Sequence, residues 1–490
     1  MSAFPQSAIG LPQNVNYTLP PSLSESARSY SVNVSPDGIT SVTGPSIGAT
    51  AFTAATNNTP GAYTAQVISF TIPSGSSKSV FLDPHSTNLS FTLSYQVTTA
   101  PVFTGNNGIQ TLIGSGASWF DSLVVYSNNV PIETINAYGL LNNFLLNNTV
   151  SYSERYGGVS VSMGCDTNSQ NGIDLATTVA THRYNFCIPL ISILGVNSEK
   201  WFPVGSVNNL QLNLTTTSIT PVVFNQQAGG TVTTQPVFNG GYTLSEFSLN
   251  MKYIDLGDVA GQLLQNTLSD GSWYMKSTTY TNSNITIPNG SSGAQQLLLQ
   301  IRNTSVKSII HQFGQAFVAG VTPNNYYDAI NPALIGRQVQ CGGDFWPNQV
   351  INDCARPAFG YTYLLQAMGN NLGKASGTTV GRYQYNTVVP SIPAGSDSTM
   401  STVASGLRTT AGSNNTELSV AQFPSMAYYG YDLEKSSGTL LQGYNTRASP
   451  PFLNLNLGVA MTSTILCTSW GMSDVILKID SVSKQITAFI

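Results

Sequence analysis

Phe70-Thr71-Ile72-Pro73-Ser74-Gly75-Ser76-Ser77 and Ile285-Thr286-Ile287-Pro288-Asn289-Gly290-Ser291-Ser292 follow one pattern, about 215 residues apart. Each reads as a strand stopped by a Pro-led turn, with a second strand after it. Three more likenesses follow in the same order. Tyr138-Gly139-Leu140-Leu141-Asn142-Asn143 is echoed by Tyr363-Leu364-Leu365-Gln366-Ala367. Leu210-Gln211-Leu212-Asn213-Leu214 is echoed by Leu453-Asn454-Leu455-Asn456-Leu457. Phe247-Ser248-Leu249-Asn250-Met251-Lys252-Tyr253-Ile254-Asp255 is echoed by Val475-Ile476-Leu477-Lys478-Ile479-Asp480. A single likeness between strands means little, because strands draw on few residue types. Four in one order, bracketing halves of similar length, argue for a duplicated unit.

The repeated unit reads as β. Val67-Ile68-Ser69-Phe70-Thr71-Ile72, Leu89-Ser90-Phe91-Thr92-Leu93-Ser94-Tyr95 and Leu210–Leu214 alternate apolar and polar residues and end at Gly, Asn or Pro. Such alternation gives one buried and one polar face, as in antiparallel sandwiches. No βαβ alternation appears, which argues against a parallel-sheet enzyme fold. Helical spacing is confined to three short stretches: Thr134–Asn147, Asp258–Asn266 and Pro357–Met368. The expected fold is all-β: two tandem eight-stranded jelly-roll β-sandwiches with short inserted helices, a double jelly roll. The expected boundaries are an N-terminal arm at 1–63, a first jelly roll at 64–256, a linker helix at 257–269 and a second jelly roll at 270–490.

Only 8% of the 490 residues carry charge, and the net charge is −4. Ordinary soluble proteins have ~25% charged residues. Ser, Thr, Asn, Gln and Gly supply the polarity, and a surface made of them is easily covered by another protein because few charges must be desolvated. With 18 Lys and Arg spread thinly, no basic block offers direct nucleic-acid binding. No apolar run approaches a transmembrane length, and the start of the sequence lacks the pattern of a secretory signal. The expectation is therefore synthesis and assembly in the cytosol or nucleus. Cys165, Cys187, Cys341, Cys354 and Cys467 are odd in number and widely spaced, which fits reduced core thiols better than a disulfide scaffold or a zinc site.

Residues 1 to about 60 are rich in Ser, Pro, Asn, Thr and Gly. Ordering them costs on the order of 60–120 kcal/mol of backbone entropy. So little apolar content cannot offset that alone, and the arm is expected to need another surface.

The paired sandwich halves, the helix after the fourth strand of each half near Tyr138 and Tyr363, the helix after Asp255, the arm and the size resemble a double jelly-roll major capsid protein of double-stranded DNA viruses. Within that group the chain looks most like the capsid proteins of virophages and polinton-like viruses. The resemblance covers residues 64–490 and is architectural. It implies a homotrimer, a pseudo-hexagonal block that tiles an icosahedral shell in a virion assembled in the host cytoplasm or nucleus. It implies penton and minor capsid proteins as further partners, leaves contact with an inner membrane open, and makes the segments near 221–241 and 370–418 the outward loops.

No catalytic, cofactor or metal residues are assigned. His85, His182 and His311 lie in no metal-binding spacing and read as turn or packing residues. Gly369-Asn370-Asn371-Leu372-Gly373-Lys374-Ala375 has three residues between its glycines and lacks the hydroxyl of a phosphate loop. Gly114-Ser115-Gly116 lacks the frame of a nucleophile elbow. Asp121, Asp344 and Asp353 are the carboxylates a β-sandwich glycoside hydrolase could pair; Asp353 reads more simply as a helix cap. Sequons such as Asn16-Tyr17-Thr18, Asn213-Leu214-Thr215 and Asn303-Thr304-Ser305 arise by chance in such a composition. The alternative function is a carbohydrate- or receptor-binding β-sandwich, such as a viral spike or fibre, with Trp119, Trp201, Trp273, Trp346 and Trp470 as candidate platforms.

Overall fold

The computed structural model of the chain describes residues 27–38, 41–43, 65–99, 102–104, 108–113, 115–155, 157–164, 172–175, 180–217, 222–226, 231–234, 237–257, 266, 268, 270–315, 329, 331–369, 380, 385, 427–434, 443–461 and 464–490.

The first half contains β1 (Arg28–Val34), β2 (Ser41–Thr43), β3 (Val67–Ile72), β4 (Val80–Thr99), β5 (Val102–Thr104), β6 (Gly108–Ile113), β7 (Phe120–Ser127) and β8 (Val130–Asn136). Helix α1 (Tyr138–Thr149) follows, then β9 (Gly172–Leu175), β10 (Ala180–Pro189), β11 (Leu210–Thr216), β12 (Val222–Gln226), β13 (Thr231–Thr234) and β14 (Val237–Asp255). One sheet runs β1-β14-β4-β10, with β2 also on β14; the other runs β3-β11-β7-β8.

The second half contains β15 (Ser272–Ile287), β16 (Gly293–Leu298), β17 (Val306–Gln315), β18 (Leu334–Cys341), β19 (Asp344–Ile351), helix α2 (Pro357–Ala367), β20 (Tyr428–Asp432), β21 (Phe452–Leu457), β22 (Ile465–Asp480) and β23 (Ile486–Phe489). Its sheets run β15-β22-β17-β20, with β23 added to β22, and β16-β21-β18-β19.

The two halves share one topology. Taking β1, β3, β4, β7, β8, β10, β11 and β14 as eight successive strands, the sheets hold the first, eighth, third and sixth, and the second, seventh, fourth and fifth. The strands β15 to β22 repeat both orders. Antiparallel pairs crossing between two sheets in this way make a jelly roll. Each helix follows the fifth strand of its half, not the fourth.

The alternation is realised in the packing. Leu210, Leu212 and Leu214 are buried on β11, with Gln211 and Asn213 half-buried between them. Leu453, Leu455 and Leu457 do the same on β21. Opposite β11 lie Ile68 and Phe70 of β3 and Leu123 and Val125 of β7. These side chains join Leu89, Phe91 and Leu93 of β4 in one core.

Several sequence expectations shift. The opening likeness joins strands of different rank: Phe70–Ile72 ends β3 on β11, whereas Ile285–Ile287 ends β15 on β22. A Pro-led turn can close any strand, so the pattern marks a strand end without saying which. The other three likenesses fall on equivalent elements. Asp255 stands opposite Arg28 as Asp480 stands opposite Ser272.

The segment given to the arm contains β1 and β2, both hydrogen-bonded to β14. The backbone of these two strands finds partners within its own chain, which the sparse apolar content concealed. The helix expected from Thr134 starts at Tyr138 instead. Thr134–Asn136 finish β8, and Ala137 in the left-handed region (φ +53°) separates strand from helix. Residues 258–265 of the expected linker helix lie outside the described residues. So does most of 370–418. Within 221–241, β12 pairs with β6 and β13 with β5.

Candidate functional site

The chemistry-bearing side chains gather at the junction of the two halves and in the core of the second. Helix α1 lies at the junction. Ten of its twelve residues are buried, among them Asn142, Asn143, Asn147 and Asn148. A helix buried on all sides is packed between layers rather than against one. Phe144 meets Tyr428 of β20 edge-on (4.8 Å between ring centres) and Trp470 of β22 (5.9 Å). Asn147 Nδ2 donates to the Tyr428 hydroxyl (2.6 Å). Trp470 Nε1 donates to the Asn136 carbonyl (3.4 Å).

Glu133 on β8 extends this junction. Its Oε2 accepts from the Ser192 hydroxyl (2.5 Å) and the Ile193 amide (3.0 Å). Its Oε1 accepts from Thr279 of β15 (2.9 Å). Burial pushes its carboxyl up to about 7, against the opposing pull of those three donors. The Ser198 and Ser277 hydroxyls meet at 2.8 Å, and Trp273 Nε1 donates to Ser206 Oγ (3.2 Å).

In the second half, Arg337 on β18 is fully buried. Its Nε and Nη2 donate to Asp353 Oδ2 (2.6 Å) and Oδ1 (3.3 Å). Nη1 and Nη2 also donate to the carbonyls of Gly430 (3.2 Å) and Gly360 (3.0 Å). The guanidinium lies 5.1 and 5.0 Å from the ring centres of Tyr429 and Tyr431. A fork donor with four acceptors and two aromatic rings satisfies a buried charge. His311 stacks on the same tyrosines (5.1 and 5.6 Å). Burial, with Arg337 adding to it, holds its imidazole well below its usual pKa.

The candidates read from the sequence do not converge. Asp353 neutralises Arg337, while the N-cap of α2 is Arg356 with no side-chain cap bond. The helix-cap reading of Asp353 is thus corrected: the carboxylate turns inward to the guanidinium. Asp344 accepts from Tyr444 (3.3 Å), and Asp121 sits on β7. Ser115 caps the short helical turn Gly116–Trp119 by accepting from the Ala117 amide (3.2 Å). His85 and His182 lie on β4 and β10, His182 against Tyr95 (5.3 Å). Gly369 follows α2, and residues 370–375 lie outside the described ones. Among the described residues no three His, Cys, Asp or Glu side chains group as a metal set. Cys341 and Cys467 are buried, Cys187 is half-buried and Cys354 is exposed.

Trp119 and Trp470 are buried and cannot act as platforms. Trp201 and Trp273 come together, lining a groove of about 530 Å³ at the junction. Sequence reasoning singled out neither Glu133 nor Arg337. A signal existed for Arg337, since the period of two set by Val339 and Cys341 puts it on the inward face.

No protein-family model matches the chain, and no curated protein is similar to it in sequence. Solved structures are similar in fold. The PBCV-1 virus capsid protein superposes with a TM-score of 0.56 at 11% identity, covering 97% of this chain and 99% of that one. The Faustovirus major capsid protein superposes with a TM-score of 0.52 at 10% identity, covering 96% and 93%. With both halves following one strand order and the likeness spanning nearly the whole length, the chain has the double jelly-roll fold of these viral major capsid proteins.

Proposed function

We propose that this chain is a structural protein, a major capsid protein whose copies assemble into an icosahedral virus shell. The observation that carries the reading is the shared topology of the halves. Three copies, each with two like sandwiches, offer six similar walls, and head-to-tail contacts between them close into a ring. Such homotrimeric, pseudo-hexagonal blocks can tile a facet, with penton and minor capsid proteins filling other positions of a virion assembled in the host cytoplasm or nucleus.

The surface supports this. Low charge makes coverage cheap. Ile335, Phe345 and Val350 stand exposed on the neighbouring strands β18 and β19, apolar side chains that coverage by another copy would remove from water.

Sedimentation and negative-stain imaging of the purified chain test the proposal. Particles of about three times the 52.0 kDa chain mass, or closed shells, are expected. A chain that stays monomeric across concentration and salt overturns it.

A further inference from the structure

We propose, resting on the capsid reading above, that copies of this chain join through α2 of one copy and the outer side of the β1-β14-β4-β10 sheet of the next. The junction inside each chain is the pattern for this contact. In the second half, Ile309 and Phe313 of β17 turn to the core of their own sandwich. Ile310 turns the other way, in register with Trp470 of β22, and Tyr428 of β20 lies on that same outer side, opposite Gln312. Helix α1 of the first half covers it, with Phe144 against the rings of Tyr428 and Trp470. The junction is thus a helix of one half laid on the outer side of a sheet of the other.

Duplication leaves the two counterparts over. The counterpart of α1 is α2, which also follows the fifth strand of its half. Ten of the twelve residues of α1 are buried, but on α2 only Gly360, Leu364 and Ala367 are. Phe359 is 38% exposed and meets Tyr363 edge-on at 5.0 Å, so an aromatic pair stands on the surface of α2. The counterpart of the covered sheet is β1-β14-β4-β10. On its outer side Asn185, Thr92 and Ser245 form one row across β10, β4 and β14, and Cys187, Ser90 and Ser248 form the next. Of these six only Thr92 is buried, and none is charged or bulky. Thr92 Oγ1 donates to Asn185 Oδ1 (2.8 Å) and Ser90 Oγ to the Ser248 carbonyl (3.2 Å). Arg183 and Glu246, beside the first row, neutralise each other, so covering these rows leaves no charge unpaired.

Each free surface is therefore the duplicate of one that the chain already covers with its partner's duplicate. Setting α2 on the first sheet of the next copy repeats the internal contact in the same direction, so three such contacts alternate with three internal junctions around a closed ring. A flat surface of small side chains lets an aromatic pair approach the backbone, and aromatic side chains are the common anchors of such contacts. The difference in polarity follows from the order of events. The internal junction forms as the chain folds and is apolar, built on Phe144, Ile310 and Trp470. The outer side of the first sheet meets water until copies associate, and surfaces that live apart before they meet are more polar.

The test uses the full chain with a photo-crosslinking benzoylphenylalanine in place of Phe359. Isotopically heavy and light copies are mixed, their association is measured by sedimentation, and the mixture is irradiated. Joined peptides should include pairs carrying both labels, and the partner peptide should come from residues 88–94, 183–187 or 245–250. Asn185→Lys, at an exposed position of the first row, should raise the concentration at which copies dissociate about tenfold or more, because it buries an unpaired charge, with the far-ultraviolet dichroism unchanged. Associated copies whose joined peptides carry only one label, or lead to other segments, overturn this contact and leave the capsid reading standing. So does an association indifferent to Asn185→Lys. A chain that stays monomeric overturns both.

Discussion

Thr279 in the second jelly roll donates a hydrogen bond to Glu133 in the first, 2.9 Å from Oγ1 to Oε1. The contact joins β15 to β8 across the junction, while Ser192 and Ile193 hold the other carboxylate oxygen. A carboxylate at a seam between two sandwiches makes the seam answer to pH.

Burial raises the Glu133 carboxyl from its usual 4.5 to about 7. The folded chain therefore holds this proton more tightly than the unfolded chain does. The stability it contributes is full below about pH 4.5 and is lost as pH rises through about 7. The gap between the two values corresponds to about 3 kcal/mol. Glu133→Gln keeps the shape and removes the titration, and the Thr279 hydroxyl can turn to accept from the new amide. Urea unfolding at pH 5 and pH 8 should show a smaller loss of stability in the variant than in the wild type. Equal losses would dismiss Glu133 as the source.

Arg337 and Asp353 are expected to behave as one unit. Arg337→Met leaves Asp353 with a buried charge and should destabilise by about 3–5 kcal/mol. Adding Asp353→Leu should restore part of that, because two matched apolar residues leave no charge unpaired. Gly360→Ala should mimic the break, since a Cβ there would run into Asp353 Oδ1. Guanidinium unfolding of the singles and the double measures the coupling. Additive losses would mean the pair acts independently.

His311 should respond in the opposite pH direction to Glu133. Neither ring nitrogen has a hydrogen-bond partner among the described residues, and burial keeps the ring neutral. The unfolded chain takes up a proton near the usual 6.5, so stability should be lost as pH falls through that value. His311→Phe keeps the stacking on Tyr429 and removes two unsatisfied atoms. It should be neutral or stabilising at pH 8, and more clearly stabilising at pH 5. A variant less stable at pH 5 than the wild type would refute this.

Strand identity and chain duplication could be read because β-sheet burial has a period of two, which Leu210–Leu214 and Leu453–Leu457 display openly. The rank of each strand could not. Phe70–Ile72 and Ile285–Ile287 are chemically alike but pair with β11 and β22, and pairing depends on partners more than a hundred residues away. The same non-locality hid β1. Its sequence, Arg-Ser-Tyr-Ser-Val-Asn-Val, is mostly exposed and becomes a strand because β14 offers it a free edge. Arg337 was legible by alternation, but its partner was not, because Asp353 reaches it across the turn into α2. Glu133 gave less signal still. Glu133 and Ile135 are buried and Thr134 and Asn136 exposed, but Ile132 is buried as well, where the pairing of β8 with β7 shifts register, and this irregularity obscured the period that would have marked an inward carboxylate.

The two jelly rolls should unfold in a single transition. Their junction is core rather than hinge: Tyr138, Phe144, Trp470 and Leu477 belong to one buried cluster that draws on both halves. Trp470 is fully buried, with Phe144 against its ring and Asn136 accepting its indole N–H. Removing it opens a cavity at the seam, and Trp470→Ala should cost about 3–5 kcal/mol. If the halves are cooperative, that loss lowers one melting transition seen alike by calorimetry and near-ultraviolet dichroism. If they were independent, the variant would split the melt in two, and mild proteolysis would release a folded first half ending near Asp255. The polar bonds across the seam, Asn147 to Tyr428 and Thr279 to Glu133, favour the single transition, because separating the halves would expose apolar surface and break both at once.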